Sequence, residues 1–429
     1  MSANSLKAAI PAPVRDGVAI VLDVLHIRKR FVSQPLGFDP KTGMQVDVAV
    51  YFPDFMPKAY QLTQWIPVLE NHPSDLSFGI VVRKIPAYLE IKELTKLPIA
   101  FVPSFTDLME LYRISPLKAV MYVNNGVGNF QSLTVAELPH IHVNHGESDK
   151  ICMVSNQVKA YDRVFVAGEA AVLRHRAALS EFNEDVLVRV GRPQLDENPA
   201  PAIPESTRRT VLYAPTWAGE DEANNYTSME HMGPRIIDAI LEQENVRVIY
   251  KPHPRIADAE DDRIRKNHSY VLRAIKQANS RDSSAGHQVR ESGDILALFP
   301  RIDLLVSDVS SIALDFLYLR TDAPIILTDR RNNINQLVID SPLSAATVVL
   351  TKSNIKDAAK RIRDVLNHDE FVQDRKVLRE FYFDNVQAGE SAPRFYQAMR
   401  DAIAAHSKDV ARAKTLAEKG TGPRFEHRA

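Results

Sequence analysis

Short apolar runs alternate with amphipathic segments through most of this chain. The runs have the length of strands, and the segments between them carry apolar residues at helical spacing. Predicted strands cover residues 47–52, 76–82, 99–102, 119–123, 140–143, 163–166, 186–190, 210–214, 246–250, 303–306, 324–327 and 345–350. Predicted helices cover residues 60–69, 87–94, 107–112, 169–179, 235–242, 261–279, 356–366 and most of 371–418. This alternation predicts parallel sheets with helices on both faces.

A proline-rich stretch divides the alternation into two halves. Pro199, Pro201 and Pro204 lie among polar residues, which is typical of a linker. The predicted architecture is α/β, with two Rossmann-like, doubly wound parallel-sheet domains facing a central cleft. Its predicted parts are an irregular segment 1–45 (with an apolar run at 18–25), an N-terminal domain 46–195, a linker 196–209, a C-terminal domain 210–370, and helices with a disordered tail at 371–429.

Composition narrows the classes of function. The 429 residues are 45% apolar, enough for two domain cores, and a net charge of -1 provides no overall attraction for nucleic acid. The single cysteine, Cys152, excludes disulfides within the chain and cysteine-based zinc clusters, and we expect it to be buried. Because no secretory signal and no apolar stretch of roughly 20 residues occurs, we expect a cytoplasmic protein, soluble or peripheral to the inner face of the membrane.

One stretch joins a buried strand to a helix through a turn of small residues. The strand covers 303–306, the turn 307–311, and apolar residues at helical spacing follow to residue 319. Ser310 or Ser311 is expected to cap the helix with its hydroxyl. Free N–H groups and the positive end of the helix dipole suit a phosphate there, although the stretch alone favours an ordinary capped turn.

Two histidines directly follow predicted strands. In 142–150, His145 can act as a base near neutral pH, Gly146 allows a ligand to approach the backbone, and Lys150 can reach a phosphate. In 250–254, two prolines fix the backbone around His253, which suits a side chain that must be aimed. A polar loop or a simple strand end also explains each motif taken alone.

Two further residues are candidates for ligand contacts, and several familiar motifs do not occur in the sequence. Trp217 can stack on a base, although packing in the core or a cleft wall is more usual. Arg192 can contact a phosphate, although a solvated side chain is expected. The sequence contains no phosphate-binding Gly-x-x-x-x-Gly-Lys-Ser/Thr loop, no Gly-x-Gly-x-x-Gly, no Asp-x-Asp and no His-Glu-x-x-His. ATPase, dinucleotide, metal-clamp and zinc-protease chemistries are therefore poorly supported.

Five motifs occur in a specific order, at 144–150, 191–196, 213–217, 251–254 and 307–316. This set resembles the CDP-glycerol glycerophosphotransferase family of teichoic-acid primases and polymerases, over about residues 140–400. The turn at 383–394 is similar to that family's closing motif. The first 130 residues match only as a generic α/β half.

The resemblance implies a GT-B-like fold and transfer of glycerol phosphate from CDP-glycerol to an acceptor hydroxyl, releasing CMP without a cofactor or metal. It places His145 and His253 at the family's two essential histidines. The donor-binding residues it implies are Gly146, Lys150, Arg192, Thr216, Lys251, Ser307, Ser310, Ser311 and Asp315. It also implies a polymeric or lipid-linked acceptor and peripheral membrane contact, for which Lys408, Arg412, Lys414 and Lys419 are candidates.

Departures from the family pattern leave the acceptor and the transferred group open. Glu147-Ser148-Asp149 replaces a small or apolar run, Gln194 replaces an arginine, and Ala388-Gly389 replaces Asp-Gly. The alternatives are a different CDP-activated polyol phosphate for another polymer such as capsule, a GT-B glycosyltransferase that uses a nucleotide-sugar, and a non-catalytic nucleotide-binding module.

Overall fold

The computed structural model describes residues 34–197 and 199–418. The predicted apolar run at 18–25 and the predicted disordered tail at 420–429 lie outside these residues. The strands are β1 Val48–Phe52, β2 Phe78–Val82, β3 Ile99–Phe101, β4 Ala119–Tyr122, β5 His140–His142, β6 Arg163–Val166, β7 Leu187–Arg189, β8 Arg209–Ala214, β9 Val246–Tyr250, β10 Gln288–Val289, β11 Leu304–Asp308, β12 Ile325–Asp329 and β13 Val348–Thr351.

These strands form two parallel sheets. The first has the order β3-β2-β1-β4-β5-β6-β7, and the second has the order β10-β9-β8-β11-β12-β13. Every residue of β1, β2, β9, β11 and β12 is buried, which explains why these strands are almost continuous apolar runs rather than alternating ones. The prediction of two Rossmann-like parallel-sheet α/β domains is confirmed.

The α-helices follow the predicted order with shifted ends. They cover Tyr60–Thr63, Ile66–Glu70, Ile85–Ile91, Phe105–Ile114, Glu169–Ala178, Gly233–Leu241, Asp262–Arg281, Ser311–Leu319, Ile334–Asp340, Ala358–Asn367, Val372–Phe383 and Ser391–Glu418. The single helix predicted at 60–69 is in fact two. Pro67 lies in the first turn of the second helix, a position that proline favours because it lacks an N–H.

The register of the second sheet brings the ends of three strands to one level. In β11, Ser307 pairs with Ala214 of β8 on one side and with Leu327 of β12 on the other. Residues that leave these strands therefore emerge side by side at the carboxyl edge of the sheet. Ligands of open parallel sheets bind at this edge.

Helices cover both faces of the second sheet. Leu212 of β8 belongs to a core cluster that includes Phe316 and Tyr382, from the helices that begin at Ser311 and Val372. The next residue, Tyr213, points to the opposite cluster, with Ile236 and Ile362. Alternation along one strand thus gives the sheet a core on each side.

The described residues divide into two compact units. The first contains those of Met1–His145 and Met399–Ala429, together with Ala160–Val164, and the second contains Gly146–Lys159 and those of Phe165–Ala398. These limits differ from the domain limits that the sequence predicts. The proline-rich stretch lies within the second unit, where Ile203 is buried in the core. In the part of the chain that the structure describes, no helix is long and apolar enough to cross a membrane.

Candidate active site

Asp308, the last residue of β11, joins the segment after β8 to the end of β12. Its carboxylate accepts hydrogen bonds from the Thr216 backbone N–H at 2.7 Å and from the Thr328 hydroxyl at 2.6 Å. The side chain is fully buried, and burial raises the pKa of its carboxyl group. Asp308 therefore holds the carboxyl edge of β8, β11 and β12 in one arrangement and is part of the scaffold beneath the site.

The serine turn leaves the following helix without a side-chain cap. Ser310 occupies the capping position of the helix Ser311–Leu319, but its hydroxyl accepts no N–H from that helix. It lies instead 3.4 Å from the Ser307 hydroxyl, which donates to the Ala214 carbonyl at 3.0 Å. The predicted capping hydrogen bond is therefore wrong. Since the Ser310 side chain does not cap the first-turn N–H groups, the helix start retains its capacity to bind an anion.

Gly146 lies against the start of this helix. A Cβ atom added at Gly146 would come within 3.2 Å of the Ser311 Cβ and 3.6 Å of its hydroxyl oxygen. The close approach explains why a residue without a side chain stands here. Two of the predicted donor-binding positions are thus neighbours in the fold, although they are far apart in the sequence.

Two cationic side chains flank the same turn. Lys150 donates to the Thr216 hydroxyl at 2.9 Å and lies 5.8 Å from the centre of the Tyr226 ring. The Arg331 guanidinium lies 4.3 Å from the centre of that ring. Tyr226 itself packs against Val309, in the middle of the turn. Neither Tyr226 nor Arg331 lies in a recognisable motif, so the sequence alone does not indicate them.

The His253 ring has a defined hydrogen-bonding state. Its Nδ1 accepts from the Arg255 backbone N–H at 3.2 Å, so the neutral ring carries its proton on Nε2. The His253 backbone N–H donates to the Pro215 carbonyl at 3.1 Å. The ring stacks on Trp217, with 6.0 Å between ring centres and an angle of 29°. Trp217 is half-buried, in keeping with the predicted packing role.

Positive charge and burial act together on His253. Burial, followed by the charges of Lys150, Arg255 and Lys251, lowers the pKa of His253 to about 3. Burial also lowers the pKa of Lys150 and of Lys251. His253 is consequently neutral at physiological pH and can donate a hydrogen bond from Nε2 to an anion without titrating.

Arg192 and Asp315 form a buried pair. Arg192 Nη2 donates to both carboxylate oxygens of Asp315, at 3.0 and 3.2 Å, and its Nε donates at 3.1 Å. Arg192 is 6% exposed, so the expectation of a solvated arginine is wrong. The reason is the carboxylate partner 123 residues away, which satisfies the guanidinium in the interior. The predicted donor contacts of these two residues stay predictions.

The segment that departs from the family pattern is anchored inside the second unit. Arg174 donates to Glu147 at 2.6 Å and to Asp149 at 3.0 Å. The other oxygen of Asp149 accepts from the Ser341 hydroxyl at 2.8 Å and from the Tyr382 hydroxyl at 2.6 Å. The sequence alone does not indicate that these five residues form one group. Two acidic side chains in one short loop were the available signal, because buried carboxylates need a partner.

His145 belongs to the first unit, whereas the residues above belong to the second. Its ring meets the Tyr60 ring edge-on, with 5.7 Å between centres. Its backbone N–H donates to the side-chain oxygen of Asn144, which has a left-handed φ of 56°. The Asn144 carbonyl accepts from the Trp65 indole N–H at 2.7 Å. These contacts fix the backbone that presents His145.

Cys152 lies two residues beyond Lys150 and is exposed. The expectation of a buried cysteine is therefore wrong. The residue is part of a single short turn of helix, Ile151–Met153, in which no residue is buried. The isolated thiol gives no sequence signal that distinguishes these two states.

Comparison with known proteins agrees with this fold. A variant of the wall teichoic acid polymerase TagF soaked with CDPG superimposes with a TM-score of 0.53 at 12% identity, covering 91% of this chain and 97% of that one. A Listeria monocytogenes protein assigned to the UDP-N-acetylglucosamine 2-epimerases gives 0.54 at 14% identity, covering 83% and 96%. A Rickettsia africae glycosyltransferase gives 0.51 at 12% identity, covering 84% and 99%. No curated protein sequence matches the chain.

The two parallel-sheet α/β units define a GT-B-like fold. The chain belongs to the CDP-glycerol:poly(glycerophosphate) glycerophosphotransferase family, whose sequence model matches residues 183–399, just over half of the chain. The matched region includes Arg192, Thr216, His253 and the serine turn. His145 precedes it, so its assignment rests on the motif at 144–150.

Proposed function

We propose that this protein transfers glycerol phosphate, or a related polyol phosphate, from a CDP-activated donor to an acceptor hydroxyl during synthesis of a cell-envelope polymer. The acceptor oxygen attacks the β-phosphorus and forms a new phosphodiester bond. The bond between the β-phosphorus and the bridging oxygen breaks, and CMP leaves with that oxygen. The protein's tasks in such a reaction are positioning and stabilisation of charge.

The uncapped start of the helix Ser311–Leu319 is the observation that carries this proposal. The Ser311 side chain at this helix start lies beside Gly146, which leaves the approach to Ser311 free of a side chain. We assign this region to the donor pyrophosphate, with the hydroxyls of Ser310 and Ser311 as additional donors. The predicted Ser307 is assigned a supporting position, because its hydroxyl already donates to the Ala214 carbonyl and lies beside Ser310. Lys150 supplies a positive charge near the same turn.

His253 and Lys251 are assigned to the leaving group. A neutral His253 donates from Nε2 to an oxygen of CMP, and this hydrogen bond strengthens as negative charge develops on the leaving phosphate. Thr216 places its hydroxyl beside the Lys150 ammonium group and orients it. These assignments require no metal ion, because backbone N–H groups, hydroxyls and ammonium groups take the phosphate charge.

His145 is assigned as the general base that accepts the proton of the attacking hydroxyl. A histidine base typically contributes about 10²- to 10⁴-fold to the rate. His145→Ala should therefore reduce CMP release from CDP-glycerol by at least about 100-fold and leave CDP-glycerol binding unchanged. Activity near that of the unaltered protein would remove His145 from this role.

A donor screen tests the proposal as a whole. CDP-glycerol, CDP-ribitol, UDP-sugars and GDP-sugars are incubated with a poly(glycerol phosphate) oligomer, and ³¹P NMR identifies the released nucleotide. The expected product is CMP, from a CDP-polyol only. Release of UDP or GDP would favour glycosyl transfer, and binding without any release would favour a non-catalytic module.

Peripheral membrane contact is proposed for the last helix. Lys408, Arg412 and Lys414 are exposed on Ser391–Glu418, while Lys419 lies beyond the described residues. Such side chains can attract anionic lipid. Liposomes that contain anionic phospholipid should pellet the full chain more strongly than a chain that ends at Ala405. Equal pelleting would show that this end of the helix does not contribute to membrane binding.

A further inference from the structure

Three neighbouring strands of the first sheet deliver polar side chains to one edge. Asp54 follows β1 by two residues, Asn124 follows β4 by two, and His145 follows β5 by three. These strands are adjacent in the order β1-β4-β5 and run parallel. Their carboxyl ends therefore meet at the same edge, where ligands of parallel sheets bind.

Asn124 is the centre of this group. Its amide nitrogen donates to Asp54 Oδ2 at 2.9 Å and to Gln61 Oε1 at 2.8 Å. Its side-chain oxygen accepts from the Gly126 backbone N–H at 3.2 Å. Asn124 is buried, and these three contacts use both of its amide hydrogens and its oxygen. It therefore serves to hold Asp54 and Gln61 in place.

Asp54 differs from Asn124 in its exposure. Its side chain is 20% exposed, and its second oxygen, Oδ1, lies 3.7 Å from the Lys58 ammonium nitrogen. A carboxylate has about four positions at which it can accept a hydrogen bond. One firm bond from Asn124 leaves acceptor capacity on a charged group that is oriented but still accessible.

Gly126 keeps this carboxylate uncovered. A Cβ atom added at Gly126 would lie 3.3 Å from Asp54 Oδ2 and 3.2 Å from Asn124 Oδ1. The backbone of Gly126 has a φ of -82°, which any residue can adopt. Free space beside Asp54, rather than backbone geometry, is therefore what a glycine provides here.

The same network continues to the candidate base. Gln61, held by Asn124, directs its amide nitrogen to the Tyr60 hydroxyl at 3.5 Å. The Tyr60 ring in turn contacts the His145 ring edge-on. Asp54 and His145 are thus two ends of one connected group of side chains within the first unit.

We propose that Asp54 is an acceptor-binding residue that accepts hydrogen bonds from the hydroxyls of a polyol, and that Asn124 positions it. An inference of this kind rests on the proposed function, since it supplies the acceptor side of that reaction. A carboxylate suits vicinal hydroxyls, because its two oxygens can accept from both.

Two variants test the role of Asp54. Asp54→Asn keeps the volume and an oxygen that can accept from Asn124, but it removes the charge. Gly126→Ala keeps the charge and places a methyl group beside it. A poly(glycerol phosphate) oligomer is the acceptor probe and CDP-glycerol the donor. Asp75→Asn is the control, since Asp75 is an exposed carboxylate of the same unit, paired with Arg400.

Asp54→Asn is expected to raise the KM for the oligomer at least about tenfold, because a hydrogen bond to a charged group is lost. Gly126→Ala should raise it severalfold, and Asp75→Asn should leave it unchanged. Calorimetric binding of CDP-glycerol should be the same in all four proteins. An unchanged oligomer KM in Asp54→Asn, or an equal loss of CDP-glycerol binding, would overturn the assignment.

Calorimetric titration with the oligomer separates this inference from the proposed function. Unaltered protein that binds the oligomer but releases no CMP would refute the proposed reaction alone. Weaker oligomer binding by Asp54→Asn would then still support the subsite. Equal oligomer binding by both proteins would refute the subsite whatever the outcome of the turnover assay.

Discussion

Arg192 and Asp315 neutralise each other in the interior of the second unit. The guanidinium donates to both carboxylate oxygens, and the Arg192 backbone N–H donates to the Ser391 hydroxyl at 3.0 Å. Gln194 accepts from Arg192 as well, at 3.0 Å. The pair therefore connects the segment after β7 with the helix Ser311–Leu319 and with the start of the last helix.

Removal of Arg192 should destabilise the protein strongly. Arg192→Ala leaves the Asp315 carboxylate buried without its cation, and loss of one partner of a buried pair typically costs about 3–5 kcal/mol. Urea unfolding followed by circular dichroism measures this loss. The double variant Arg192→Met/Asp315→Leu should recover a large part of it, and a double variant as unstable as Arg192→Ala would contradict this explanation.

The loss of unfolding free energy in Arg192→Ala should depend on pH. Burial already raises the pKa of Asp315, and loss of Arg192 raises it further. The folded variant then binds a proton that the unfolded chain releases, so its stability increases as the pH falls through that raised pKa. The free energy of unfolding, measured from pH 8 to pH 5, should show a shrinking difference from the unaltered protein. A difference that grows on acidification would refute this account.

Removal of Arg174 should destabilise the protein far more than removal of its neighbour Arg176. Arg174 is 18% exposed and serves two buried carboxylates, whereas Arg176 is 56% exposed and pairs with the surface residue Glu184. Arg174→Ala should cost about 3–5 kcal/mol of unfolding free energy. Arg176→Ala, on the same helix, should have little effect, because an ion pair at the surface is screened by solvent. Equal losses in urea unfolding would contradict the anchoring role of Arg174.

The milder change Arg174→Lys tests positioning separately from folding. Lysine cannot reach both carboxylates with the geometry of a guanidinium. The loop that carries Lys150 should shift, and CMP release from CDP-glycerol should fall by about tenfold to 100-fold. Unaltered turnover in a folded Arg174→Lys variant would show that the Glu147–Asp149 anchor does not align the site.

His253 should remain neutral across the physiological range. Its pKa of about 3 predicts that the Cε1–H signal in proton NMR stays at its neutral position from pH 8 down to pH 5. The signal is assigned by its absence in His253→Gln. The pKa of His253 is lower in the folded protein than in the unfolded chain. Its contribution to stability is therefore fully present above the unfolded pKa and is lost progressively as the pH falls. An inflection between pH 6 and pH 7 would refute the neutral assignment.

A methyl group at Gly146 should weaken donor binding. In Gly146→Ala the added carbon would press on Ser311 at 3.2 Å, so the turn or the loop must shift. We expect the calorimetric affinity for CDP-glycerol to fall severalfold, with a loss of stability of about 1–3 kcal/mol. Unchanged affinity would place the donor phosphates away from this contact.

The sequence predicts strands well where burial on both faces produces an apolar run. β9 and β6 have the predicted limits, Val246–Tyr250 and Arg163–Val166. β10 was missed because Gln288–Val289 is only two residues long and half-buried. Local pattern also failed at Pro67, where one expected helix is divided into two. Short edge strands and breaks within apolar segments depend on tertiary contacts, which the spacing of apolar residues along the chain does not reveal.

The residues of the candidate site were predictable only where they follow strands. His145, His253 and the serine turn satisfy that rule, so position along the chain suggested them. The partners of Arg192 and Asp149 lie 123 and 233 residues away in the sequence. Nothing in the local pattern indicates which distant side chain will satisfy a buried charge. One sequence therefore indicates candidate site residues more readily than the distant residues that hold them in place.

The hydrogen bond between Asp149 and Tyr382 limits how this protein can be divided or recombined. A fragment that starts at residue 210 would lack the 146–150 loop and the helix Glu169–Ala178, and Tyr382 would lose its carboxylate partner. Chimaeras joined at the proline-rich stretch would pair a loop from one parent with a helix from another. Exchange of donor preference between relatives should succeed only when residues 146–159 and 165–398 are transplanted together.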